Sequence, residues 1–218
     1  MNLLGIIPAR GGSKGIPRKN MADLCGRPLV DYTISTCLRS GVFSRLVVST
    51  DDPEIADAAR SAGAEVPFMR PESLAGDTVS PQEAVQFTLG RLREEGYEPE
   101  GLAVLFPTHP FRCVSVLRFL SGKLRDHHVV KTVVGILPGP ITFLHESKTG
   151  ELEPLMEAPG TPCHAPAGNF YGVNFGEVQH EYYLHELTDP VERIDIDTPA
   201  DLDVAREVVA RGLYDFDA

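Results

Sequence analysis

Leu3, Leu4, Ile6 and Ile7 form an apolar run of strand length that ends at Pro8 and gives way at once to glycines and cations. A run so short and continuous suits a strand buried on both faces of a parallel sheet. The first element therefore already calls for helices above and below it. Gly11, Gly12 and Gly15 let the following chain turn sharply, while Arg10, Lys14, Arg18 and Lys19 supply positive charge with no carboxylate before Asp23. Backbone N–H groups freed by glycine beside such cations describe a loop that holds an anion, a phosphate above all. The spacing is not that of a Walker A loop, and the glycines do not follow Gly-x-Gly-x-x-Gly. On these residues alone, a solvated basic turn stays open as the plainer alternative.

In a chain of 218 residues and net charge -11, that cationic segment stands apart. The acidic balance disfavours nucleic acid as a partner, because binding a phosphate backbone needs a broad basic face. A small anion needs only a local one. No apolar run of about 18 residues calls for a membrane span, and the amino end lacks a secretory pattern. Cys25, Cys37, Cys113 and Cys163 fall without C-x-x-C spacing, which argues against a zinc cage and for reduced thiols in a cytoplasmic protein. The length fits a single domain over residues 1–218, with a small excursion at 138–166 where Pro and Gly recur.

Helix and strand patterns alternate after the basic loop. Pro28 heads a helix that stops near Gly41, residues 46–49 read as a strand, and Asp52 with Pro53 opens a helix that Gly63 ends. A short strand is expected at 65–68, longer ones at 102–106 and 129–137, and helices at about 81–95 and 114–125. Short links of this kind imply right-handed βαβ units, a mainly parallel sheet and a Rossmann-like three-layer α/β/α fold. A ligand would then bind at the carboxyl ends of the strands. His127 and His128 are adjacent, so they face opposite sides of their strand and make a poor metal pair.

A second charged centre lies near the other end. Asp195 and Asp197, two apart on an expected strand, point their carboxylates to one face. Two hard oxygen donors that leave room for water or phosphate suit Mg²⁺, and a bare acidic strand edge is the alternative. Thr198 and Pro199 then open a helix, which makes Asp201 a helix-terminus charge.

The string I-P-A-R-G-G-S-K-G-I-P-R-K-N over residues 7–20 resembles the nucleotide-binding motif of the N-acylneuraminate cytidylyltransferase family, which activates nine-carbon 2-keto sugar acids. D-I-D-T-P-x-D-L at 195–202 resembles that family's C-terminal motif. P-T-H-P-F-R at 107–112 is similar to its Q-P-T-S-P-L-R, with Phe106 and His109 in place of Gln and Ser. The resemblance covers about residues 3–136 and 164–210. It implies a nucleotidyltransferase fold and transfer of CMP from CTP to a sialic-acid-like sugar acid with release of pyrophosphate. Arg10, Lys19 and Asp197 would be catalytic. Ala9, Arg10, Gly11, Gly12, Ser13, Lys19, Asn20, Arg70, Asp77 and Ser80 would surround the nucleotide, and Asp195 and Asp197 would hold Mg²⁺ on the triphosphate.

On the sugar side the resemblance implies Thr108, His109 and Arg112, although a lone loop histidine is also a common structural residue. H-A-P-A-G-N-F-Y-G at 164–172 looks more like the pseudaminate-type branch, which adds Asn169, Phe170 and Tyr171 as sugar contacts. Aromatic packing in a strand is the alternative for the two rings. The excursion at 138–166 would reach across a homodimer, with His145, Lys148 and His164 as its only basic residues. Two rivals remain on this reading. One is a related nucleotidyltransferase for pseudaminate, legionaminate or octulosonate, or one using GTP; the other is a nucleotide-binding subunit without turnover.

Overall fold

The computed structural model describes residues 1–76, 79–136, 144–146, 152–154 and 163–218. Asp77, Lys148 and most of the 138–166 excursion lie outside these residues.

The first apolar run forms β1 (Leu3–Pro8), and its alternation divides the core. Leu3 and Ile7 point into one cluster and Leu4 and Ile6 into another, on the opposite face of the sheet. A small hairpin follows, β2 (Asp23–Leu24) and β3 (Arg27–Pro28), then α1 (Leu29–Ser40), β4 (Arg45–Ser49), α2 (Pro53–Ser61), α3 (Pro81–Glu94), β5 (Gly101–Val104) and α4 (Val114–Lys123). The chain continues through β6 (His127–Ile136), a short pair β7 (Leu144–Glu146) and β8 (Leu152–Pro154), β9 (Cys163–Asn174), β10 (His180–Glu186) and α5 (Pro199–Ala210).

Six strands form the main sheet in the order β10-β6-β9-β5-β1-β4. All run parallel except β9, which lies antiparallel between β5 and β6. Side chains of α1, α2 and α4 cover one face and those of α3 the other, giving three layers. The helix ends follow their sequence signals. Asp52 accepts from the Glu54 and Ile55 N–H groups, and Ser80 with Glu83 and Thr198 with Asp201 form reciprocal capping boxes. Gly41 closes α1 in the left-handed conformation.

Several expected boundaries move. Pro28 precedes α1 as its cap and ends β3, so it is not the first helical residue. Residues 65–68 form no strand; Glu65 alone bridges Val47. Strand β5 ends at Val104, after which the Phe106 N–H turns to the Gly168 carbonyl. The end of the supposed irregular excursion, from Cys163 on, is the start of β9.

The largest consequence for the site comes from a third cluster. Ile16 of the basic loop, Leu24, Leu29, Tyr32 and Phe111 pack with Ile196, Leu202, Ala205 and Val208. Burial of these apolar side chains clamps α5, and the segment before it, against the loop that follows β1. Asp195 and Asp197 do not lie in a strand. Their alternation survives because Ile196 is fully buried and its N–H is fixed to the Thr108 carbonyl at 2.8 Å, leaving both acids on the outside.

Candidate active site

A cavity of about 340 Å³ opens at the carboxyl ends of β1 and β5. Arg10, Gly12, Ser13, Lys19 and Asn20 line it from the basic loop, Arg70 and Ser80 from the approach to α3, and Phe106 and Thr108 from the end of β5. Most of the residues expected around a nucleotide therefore share one concavity. Ala9 is fully buried behind it, with its N–H bonded to the Ser49 carbonyl.

Several contacts hold the loop in shape. Asn20 donates to the Arg10 carbonyl at 2.8 Å and so ties the two ends of the loop together. Arg18 turns away toward the start of α2, where it pairs with Asp52 at 3.0 Å and Glu54 at 2.6 Å. Arg10 spans the cavity to the Gly76 carbonyl at 3.1 Å. Gly11 uses its N–H within the protein. Its N–H donates to Asp51 Oδ1 at 3.2 Å, and a Cβ there would stand 2.8 Å from the Asp52 carboxylate.

Asp51, which the sequence reading did not single out as a site residue, braces two of the candidates. Its Oδ1 also receives Arg70 Nη2 at 2.9 Å, so one carboxylate oxygen fixes both the loop and the arginine facing it. Arg70 is buried, and its Nε has no hydrogen-bond partner among the described residues. The only signal for Asp51 was an acid at the end of β4, which the neighbouring helix cap at Asp52 obscured.

The two charged centres meet. Lys19 Nζ lies 2.7 Å from Asp197 Oδ1, and a Cβ on Gly15 would stand 2.0 Å from the Asp197 carbonyl oxygen. Asp195 hydrogen-bonds the Thr108 side chain; burial, with Asp197 nearby, holds its carboxyl above the usual aspartate range. A bound cation would relieve that combination. The described residues contain no group of three or more His, Cys, Asp and Glu able to cage a metal. A pair of carboxylates that leaves the other positions to water and phosphate nevertheless fits Mg²⁺.

The sugar-side candidates divide differently from expectation. Thr108 lines the cavity and His109 lies just behind it, its pKa pushed down to about 4, first by burial and then by Arg112. Arg112 is 2% exposed, and its guanidinium donates to the Asn169 carbonyl, Thr33 Oγ1 and the Phe106 carbonyl. Those bonds take up the guanidinium inside the protein, and Arg112 is not among the residues that line the cavity. Asn169 is also buried, donating to the Phe111 and Glu192 carbonyls. Phe170 is fully buried in the main core, which removes it as a sugar contact. Tyr171 is exposed.

Residues 4–98 match the family described as cytidylyltransferase. Over 219 aligned residues the chain is 32% identical to CMP-N,N'-diacetyllegionaminic acid synthase of Legionella pneumophila, covering 92% of this chain and 93% of that protein. It is 42% identical over 118 residues to pseudaminic acid cytidylyltransferase of Campylobacter jejuni (strain 81-176). That match covers 54% of this chain and 51% of the relative, so the chain spans about half the relative's length. Among solved structures, a CMP:2-keto-3-deoxy-manno-octonic acid synthetase complexed with CTP superposes with a TM-score of 0.71 at 18% identity, covering 97% of this chain and all of that one. A likeness at that identity establishes the shared Rossmann-like nucleotidyltransferase fold.

Proposed function

Since this chain belongs to the cytidylyltransferase family, we propose that it transfers CMP from CTP to a nine-carbon 2-keto sugar acid and releases pyrophosphate. The anomeric hydroxyl of the sugar acid loses its proton to solvent and its oxygen bonds to the α-phosphorus as the bond to the bridging oxygen breaks in line, the electron pair leaving with pyrophosphate. The protein's part is to position and to neutralise. Arg10 and Lys19 face the triphosphate, Arg with a planar fork and Lys with a mobile point charge. Asn20 and Asp51 keep the loop and Arg70 in place. Asp195 and Asp197 would hold Mg²⁺, which supplies charge stabilisation on the phosphates and on the departing pyrophosphate.

The observation that carries this reading is the Lys19–Asp197 contact at 2.7 Å. It joins the acid pair to a cation that lines the cavity, as one triphosphate with its ion requires. The sugar is proposed as a nonulosonic acid of the legionaminate or pseudaminate type, because relatives named for those acids match this chain.

Pyrophosphate release from CTP, UTP, GTP and ATP, each offered with N-acetylneuraminic, legionaminic, pseudaminic and 3-deoxy-octulosonic acids, tests the proposal. Release is expected with CTP and a nonulosonic acid only. Turnover confined to the octulosonic acid would overturn the sugar assignment, and preference for another nucleotide would overturn the assignment of CTP. No release from any pairing would leave a nucleotide-binding protein without this activity.

A further inference from the structure

His109 is 8% exposed, and both of its ring nitrogens have polar neighbours. The Gly168 N–H donates to its Nε2 at 3.1 Å, while its Nδ1 lies 3.2 Å from the Thr108 hydroxyl and 3.4 Å from Asp195 Oδ1. A backbone N–H can only donate, so Nε2 accepts and the ring carries its proton on Nδ1. That proton faces an alcohol and a carboxylate. The Thr108 hydroxyl, able to accept from the ring, keeps its own hydrogen for Asp195, to which it is bonded. Every bond in the chain then has a direction, running from Gly168 through His109 and Thr108 to the acid.

Gly168 closes on the same ring from behind. A Cβ there would stand 2.7 Å from His109 and 3.1 Å from Phe106, and its carbonyl accepts the Phe106 N–H at 3.2 Å. Phe106 and His109, two of the residues that depart from the strand-end pattern of the family, thus fit against one glycine of β9. A larger residue at 168 would displace the ring.

We propose that His109 is a positioning residue that fixes Asp195 relative to β9 by accepting from Gly168 and donating toward Thr108 and Asp195. The proposal rests on the assignment of Asp195 as an ion-holding acid. Its role is therefore seen in how firmly the ion is gripped beside the nucleotide, with no contact of its own to CTP.

Calorimetric titration of the full chain with CTP, once with Mg²⁺ and once with EDTA, tests this. The ratio of the two affinities reports the acids' hold on the ion. H109F, which has neither donor nor acceptor, is expected to lower that ratio about 10- to 100-fold, the usual effect of losing a residue that orients a metal ligand. H109Q, which offers both on one planar group, is expected to restore most of it. Equal losses with and without the ion in H109F, or no rescue by H109Q, would overturn the proposal. D195N separates the two levels: if it leaves the ratio unchanged, the ion assignment itself fails. If D195N lowers the ratio and H109F does not, only the role of His109 falls.

Discussion

A methyl group on Gly15 would stand 2.0 Å from the Asp197 carbonyl oxygen, well inside any real contact between carbon and oxygen. The requirement for glycine there is close approach of two backbones, and its position in the motif does not reveal this. Gly15→Ala should push the basic loop and the acid pair apart. A displacement of that size at a reacting site costs on the order of 100-fold in rate, so kcat/KM for CTP should fall by about that factor in steady-state assays. A loss of less than about threefold would show that the junction tolerates the shift. Arg112 shows the converse limit of sequence reading. It stands in a motif that looks like a ligand motif, yet it is buried by a bond to Thr33, 79 residues away on α1. Nothing local to residues 107–112 reveals that partner, and the same holds for Phe170, whose core neighbours come from other strands and helices.

At the scale of elements, the signals that proved legible are those contained in a few consecutive residues. Ser80 and Glu83, in S-x-x-E spacing before an amphipathic run, form a capping box at the start of α3. Ser80→Ala should cost about 1 kcal/mol and lower the melting temperature by roughly 2–4 °C, as read by calorimetry; no change would remove the cap as a stabilising feature. The Glu83 carboxyl is held below its ordinary value, first by the Ser80 N–H and then by the Ser80 hydroxyl. The folded chain therefore favours the ionised form, so this contribution is fully present above the unfolded pKa and is lost as the pH falls through the folded one. Stability lost on acidification should accordingly be smaller in the Ser80→Ala variant. Strand limits were less legible, because a strand exists only by virtue of its neighbour. Residues 65–68 have the composition of a strand but only one bridging residue, and 195–197 keep a two-residue alternation with no sheet around them.

For the whole molecule, the sequence order of strands and helices was enough to anticipate a largely parallel three-layer arrangement. It could not reveal that β9 inserts antiparallel between β5 and β6, because pairing over such distances leaves no local pattern. Nor could it show why the two ends of the chain meet. The physical cause is the apolar cluster joining Ile16 to Ile196 and α5, which presses residues 195–197 onto the loop after β1. The charged groups at the cavity rim owe their proximity to that packing more than to their own attraction, since Asp197 is two-thirds exposed and a screened surface pair contributes little.

The convergence of these two ends on one triphosphate is tested most directly by a double-mutant cycle on Lys19 and Asp197, reading kcat/KM for CTP at saturating Mg²⁺ in Lys19→Ala, Asp197→Ala and the double variant. Groups in contact at one site couple by about 0.5–3 kcal/mol, so the double variant should lose clearly less than the product of the two single losses. Losses that simply multiply, or a single variant with unaltered kcat/KM, would contradict a shared site.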